Sequence, residues 1–341
     1  MNYWQIAAGS FGREYADCFL RFGMAFVGGK RQIETMDKVA LGDRVILKRG
    51  VSRIAAVGQV VERDGKHKGN LDKDWLRDFD GWDLSAYCFV EWHRPKKAIE
   101  AKGLALGTIR RVHDKSLREQ AENALADWPA QDRLVPEPKP THKVGDSDIL
   151  EFLVAQGLRP GAAEDLTAAF SRIRLLARYY YGALDRKDFG WDEIREHETR
   201  TFLVIPLLLA LGWAEQQIKI ELPIQGQRRV QGQRRADVAC FRRPYTKASD
   251  NVCLILESKG FSQGLDYASD QAMEYAEHFP SCQIVVVTNG YCYKAFRRDE
   301  AGAYSAAPSA YLNLLQPRNR YPLDPANVDG CLEALRLLLP A

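Results

Sequence analysis

The chain has 341 residues, with 48 lysines and arginines against 45 aspartates and glutamates, a net charge of +3. It is 46% hydrophobic and 27% charged, which excludes a disordered chain and a histone-like polycation. A local basic groove stays open, because clustering makes one and total charge does not.

No stretch reaches the ~18 apolar residues of a membrane span; the longest, Phe202 to Ala214, is interrupted by Pro206. Arg13 and Glu14 arrive before any apolar run, so no signal peptide is expected. Seven dispersed cysteines without a Cys-x-x-Cys pair fit reduced thiols in a cytoplasmic protein and argue against structural zinc.

Residues 1–128 read as short strands between turns. Tyr3–Ala8, Arg44–Lys48, Ile54–Val61 and Ala86–Trp92 are β-rich and bounded by glycines, which predicts a small barrel or curled sheet. Residues 129–146 hold Pro129, Pro136, Pro138 and Pro140 and read as a semi-rigid linker. Over 147–190 helical spacing predicts a helical connector, with helices near 148–157 and 163–182. From 191 to 341 the pattern is mixed α/β. A helix is predicted from about Asp192 to Leu211, then strands near 217–222, 236–241 and 252–259. A helix near 265–278, strands near 283–288 and 291–296, and a last helix near 328–339 follow. The whole is an α+β chain of two domains, the second a sheet covered by helices.

Three residues in the second domain point to chemistry: Asp237 in RRAD, and Glu257 and Lys259 in LILESK. Side chains alternate along a strand, so Glu257 and Lys259 share a face. Buried charges at the end of an apolar strand are costly without a partner or a task. Two carboxylates are hard oxygen ligands suited to Mg²⁺. Such an ion polarises a phosphate and acidifies a bound water, while a lysine can orient that water or offset phosphorane charge. The plainer reading is a Glu–Lys pair on an edge strand. Arg228, Arg229, Arg234 and Arg235 crowd the segment before Asp237. They read either as a solvated hairpin tip or as phosphate-contacting groups.

This part of the chain resembles the PD-(D/E)XK nucleases, and most closely the nuclease domain of type I restriction motor subunits. The matched residues are EHETR at 196–200, Pro206, LGW at 211–213, RAD at 235–237, ESK at 257–259, Gln271 and TNG at 288–290. The resemblance implies a restriction-endonuclease-like α/β/α sandwich in which Asp237 and Glu257 bind Mg²⁺ or Mn²⁺. Lys259 would assist the attacking water, and Gln271 would flank the site from a helix. Glu196 would be the helix carboxylate approaching the site, with Glu198 as the competing assignment. Ala236 stands where the family's usual proline would be.

The first domain holds Trp4, Trp75, Trp82 and Trp92. Aromatic walls with a carboxylate can hold a flipped base, although aromatics also build ordinary cores. Tyr3-Trp4, GDRVILKRG at 42–50, RIAAVGQVVE at 53–62 and the strand ending at Trp92 resemble an EVE-type domain of the PUA-like superfamily. That resemblance implies a β-barrel that recognises a modified base, with Ser10, Phe11, Trp75, Asp80 and Trp82 around the pocket. Gly28–Lys30 lacks phosphate-loop spacing, and the six histidines form no metal-binding pair. Together these features suggest a modification-dependent DNA endonuclease of type IV-like restriction and phage defence, working as a homodimer on DNA. A nucleic-acid binding protein with an inactive nuclease scaffold and an RNA-directed nuclease are the alternatives.

Overall fold

Two units, Met1–Pro140 and Thr141–Ala341, make up the computed structural model. It describes residues 1–9, 12–184, 194–224, 234–244, 248–323 and 328–340.

In the first unit the elements run β1 (Tyr3–Ala7), α1 (Ala16–Phe22), β2 (Met24–Val27), α2 (Lys30–Met36), β3 (Arg44–Arg49) and β4 (Arg53–Val60). They continue with β5 (Lys68–Asn70), β6 (Ala86–His93), β7 (Ile99–Glu100), β8 (Ile109–Arg111) and α3 (Lys115–Asp127). The main path of the eight-stranded sheet is β2-β6-β4-β3-β1-β8. β1 is parallel to β3, and the other pairs are antiparallel. A closed barrel is not what these rungs describe: among the described residues they run as an open path from β2 to β8. One face is sealed by α3, whose Leu117, Ala121 and Ala124 join Ile46, Ile54 and Val57 in a buried cluster.

Two sequence motifs acquire a physical meaning here. Asp43 is 1% exposed, and its carboxylate accepts from Asn2 N at 2.7 Å, Trp4 Nε1 at 2.8 Å and Ala40 N at 3.1 Å. It ties the start of β1 to the turn before β3. Gly58 stands opposite Trp92, where a Cβ would lie 2.4 Å from Val90 and 2.8 Å from the Trp92 ring. The indole occupies the space that a side chain at residue 58 would need.

The proline-rich segment is not a free spacer. Gln131 N donates to Trp92 O at 2.7 Å and Val135 N to Arg21 O at 2.9 Å. Glu137 accepts from Trp75 Nε1 at 3.1 Å and Lys73 Nζ at 2.5 Å. Prolines lack a backbone donor, so their neighbours make the rungs that bind the strap to the first unit. Beyond Pro140 the chain joins the second unit, where Val144 N donates to Pro317 O at 3.0 Å.

The second unit begins with α4 (Asp146–Ala155) and α5 (Pro160–Leu184), followed by α6 (Glu196–Thr199) and α7 (Ile205–Ala210). Then come β9 (Ile218–Pro223), β10 (Arg235–Phe241), β11 (Val252–Ser258), α8 (Ala268–Glu277), β12 (Ile284–Thr288), β13 (Cys292–Arg297), β14 (Ala310–Asn313) and α9 (Cys331–Leu337). The sequence reading took residues 147–190 as a connector, but α4 packs on α9 and α5 on α7 inside this unit. The six-stranded sheet has the order β14-β13-β12-β11-β10-β9, with β11 and β12 parallel and the other pairs antiparallel. β11 is buried at every position, which explains its unbroken apolar run up to Glu257. α8 packs on β11 and β12, and α9 on β13 and β14.

Candidate active site

The site forms where β10 and β11 part. Their register pairs Val238 with Leu256, so one step further on Asp237 faces Glu257, and directly opposed residues project from the same face. There Ser258 N–H finds the Asp237 carboxylate instead of a strand carbonyl: Oδ2 accepts from Ser258 N at 2.8 Å and from Ser258 Oγ at 2.6 Å. On the other side of β11, Lys259 N donates to Thr288 O at 2.8 Å. The strand end is therefore fixed from both sides.

Lys259 Nζ donates to Glu257 Oε1 at 2.9 Å, lies 3.7 Å from Glu196 Oε1 and reaches Gln271 Oε1 at 3.5 Å. Gln271 in turn donates to Tyr275 Oη at 2.8 Å, which orients its amide oxygen toward the lysine. Glu257 is 3% exposed. Burial, joined by the charge of Asp237, pushes its carboxyl up to about 7, against the pull of Lys259. Burial would lower Lys259, but the surrounding Glu257, Glu196 and Asp237 charges outweigh it and hold its ammonium above the ordinary value. Glu257 Oε2 is buried and has no hydrogen-bond partner among the described residues.

The two carboxylates of α6 have different partners. Glu198 turns back on its own helix and accepts from Arg195 N at 3.1 Å, while Glu196 faces Lys259. Between α6 and α7 the helix opens into a π turn over Arg200–Val204. Pro206 cannot donate to the carbonyl of Phe202, and its ring crowds that oxygen; widening the turn relieves both. The packing also explains TNG. Gly290 has φ +93°, and a Cβ there would stand 2.5 Å from Leu203 and 2.9 Å from Thr199. The helix rests on the β12–β13 turn only because residue 290 has no side chain.

Arg200, a residue without an assigned role in the sequence reading, is the other half of the site. It is 5% exposed. Its guanidinium donates to Asp237 Oδ1 at 2.7 Å and Glu221 Oε1 at 3.2 Å, and meets His197 Nδ1 at 2.9 Å. Glu221 has φ +52°, a left-handed conformation that costs about 1 kcal/mol or more for a non-glycine residue. A cleft of about 410 Å³ opens here, lined by Glu196, His197, Arg200, Glu221 and Asp237 among others. Ser258 was legible as the middle residue of the ESK motif but was given no role, and Glu221 gave no signal.

The remaining expected residues divide. Arg235 pairs with Glu221 at 3.0 Å, and Arg234 pairs with Glu274; Arg228 and Arg229 lie outside the described residues, as do Ser10 and Phe11. Trp75 is 6% exposed. Its ring packs on Phe22 at 4.6 Å and also meets Phe26 and Phe79, so it builds the core and does not present a free stacking face. Asp80 is fully buried with φ +52°, and its backbone oxygen accepts from Arg13 at 3.1 Å. The Arg13 guanidinium lies 3.8 Å over the half-buried Trp82 ring, a cation–π contact.

Among the described residues, no three His, Cys, Asp or Glu side chains gather closely enough to hold a metal ion by themselves. Mg²⁺ commonly takes one or two carboxylates and fills its other positions with water and phosphate. Asp237 and Glu257, with the partnerless Oε2, fit that donor set.

Comparison with known proteins bears on this region. A family model described as type I restriction enzyme R protein N terminus matches residues 195–308. Among solved structures, the chain is similar at 22% identity to a fragment described as an HsdR subunit of a type I restriction enzyme from Vibrio vulnificus YJ016. The match covers 34% of this chain and 23% of that one, with a TM-score of 0.28. No curated protein matches the chain. Residues 195–308, which carry Glu196, Asp237, Glu257, Lys259 and Gln271, are therefore the part of the chain similar in sequence to that family model.

Proposed function

We propose that the chain is a metal-dependent endodeoxyribonuclease of restriction type, whose second unit is a PD-(D/E)XK nuclease and whose first unit is an EVE-like reader of a modified base. The observation that carries the reading is Glu257, buried opposite Asp237 with one oxygen on Lys259 and the other unpartnered. Asp237 and Glu257 would hold Mg²⁺ or Mn²⁺, which supplies a polarised phosphate and an acidified water when bound. In the metal-free protein the carboxylates around Lys259 raise its pKa. Its ammonium would orient the water and offset phosphorane charge. Glu196 and Gln271 hold the lysine head in place. Arg200 holds the Asp237 carboxylate aimed at β11. A break in both strands needs two such sites, which favours a homodimer on DNA.

A second reading, a DNA-binding protein with an inactive scaffold, is favoured by the Arg200–Asp237 pair, which occupies a carboxylate the metal would need. The test is a cleavage panel with Mg²⁺ and Mn²⁺. The substrates are DNAs differing only in cytosine or adenine modification, unmodified DNA, and RNA. Wild type is compared with Glu257→Ala. Cutting of modified DNA by wild type alone is expected. No cutting of any substrate would leave the inactive scaffold, and cutting confined to RNA would make the enzyme RNA-directed.

A further inference from the structure

The first unit contains a second cleft, about 660 Å³, between α2 and the edge strand β8. Trp75, Asp80 and Trp82, expected to bind a base, do not line it. Its lining includes Arg31, Lys38, Arg110, Arg111 and His113, and no aspartate or glutamate. Arg31, Lys38 and Arg110 are exposed and make no ion pair among the described residues. Arg111 is held by the Asn2 side chain, which donates no countercharge. The carboxylate bonded to Asn2, that of Asp43, is buried and accepts from Asn2, Trp4 and Ala40.

The backbone adds donors on the same edge. β8 is the terminal strand of the sheet path. Its rungs to β1 run from Val112 N to Tyr3 O and from Ala7 N to Thr108 O, each at 2.7 Å. Antiparallel alternation then turns the N–H groups of Ile109, Arg111 and His113 away from β1. Edge donors of this kind, beside arginine forks, are what phosphate oxygens accept from. Cations spread over α2, the turn after it and β8 around one cleft suit a polymer of phosphates better than one compact anion.

We propose that the α2–β8 cleft is a phosphodiester-backbone site that holds duplex DNA against the first unit through Arg31, Lys38 and Arg110. The choice of DNA as the polyanion rests on the nuclease reading above; the cleft does not.

The experiment uses the full chain in EDTA, so that binding is read without cleavage. Anisotropy of an unmodified 20-base-pair duplex is followed from 50 to 200 mM KCl for wild type, for the Arg31→Ala/Lys38→Ala/Arg110→Ala variant, and for a Lys96→Ala/Lys97→Ala/Lys102→Ala control. Three lost phosphate contacts lower the salt slope by about 2.7, so wild-type affinity falls about 40-fold more than the variant's over that range. The control should behave as wild type. Equal slopes for wild type and the cleft variant overturn the proposal, as does preferential binding of wild type to phosphatidylserine vesicles over DNA. Failure of the nuclease reading shows elsewhere: DNA binding that depends on the cleft but no cleavage with Mg²⁺ leaves this site standing. Normal cleavage with a cleft variant that binds as wild type removes it alone.

Discussion

The sharpest test of the site is Glu257→Gln. The folded protein holds this carboxyl at about 7 against 4.5 for a free side chain. Between those values the folded state keeps a proton that the unfolded chain has lost, so stability falls as pH rises through the window. Above pH 7 the full cost is present. The difference is about 2.5 pH units, which at 1.36 kcal/mol per unit amounts to roughly 3 kcal/mol. Glutamine has nearly the same shape and does not titrate. The variant should therefore gain about 3 kcal/mol relative to wild type between pH 4.5 and pH 8 in metal-free buffer. Hydrogen exchange of the β11 amides, corrected for intrinsic rates, reads this within the second unit alone. Saturating Mg²⁺ should flatten the difference, because a bound cation restores the ionised form. A wild-type-to-variant difference that does not change with pH would refute the account of burial and Asp237 repulsion.

Other substitutions probe the parts that hold the site. Gly290→Ala forces a left-handed alanine with its Cβ into Leu203; urea unfolding should show a loss of about 2–4 kcal/mol, without change in the first unit. Arg200→Met strips the donor from Asp237 Oδ1 and from Glu221. The metal-free protein should lose about 2–4 kcal/mol while calorimetry finds Mg²⁺ bound about tenfold more tightly, since the cation no longer competes with a guanidinium. Asp43→Ala orphans the donors of Asn2, Trp4 and Ala40 and should cost the first unit about 2–4 kcal/mol by denaturation. Burial alone would raise Asp43, but those hydrogen bonds prevail and lower it. Its contribution is therefore present above pH 3.8 and fades as pH falls through the folded value.

Much of the second unit was legible because its chemistry is linear. β11 announces itself as an apolar run ending in alternating charges, and alternation alone puts Glu257 and Lys259 on one face. That Asp237 meets Glu257 depends on register, which a single sequence leaves open and the β10–β11 pairing supplies. Glu196 and Glu198 could not be told apart by helical spacing because both faces of that helix are apolar; a backbone cap on Glu198 separates them. Arg200 was quoted within its motif but given no task, since nothing local says that it spans to β10. In the first unit the short strands were visible, but the order in which they pair was not, because which edges pair is a long-range property. Trp75 shows the limit of composition: an aromatic beside acids reads equally as a pocket wall and as core, and packing against Phe22 decides for core.

The way Asp237 secures Ser258 bears on how a silenced enzyme should be made. Its carboxylate serves as a surrogate carbonyl for the last amide of β11. On the proposed reading, replacing it would remove a ligand for the cation as well as unfasten the strand tip that carries Glu257 and Lys259. A loss of turnover in such a protein would blend chemistry with fraying. Lys259→Met or Glu257→Gln leaves that knot tied, and either is the cleaner route to a substrate-trapping form.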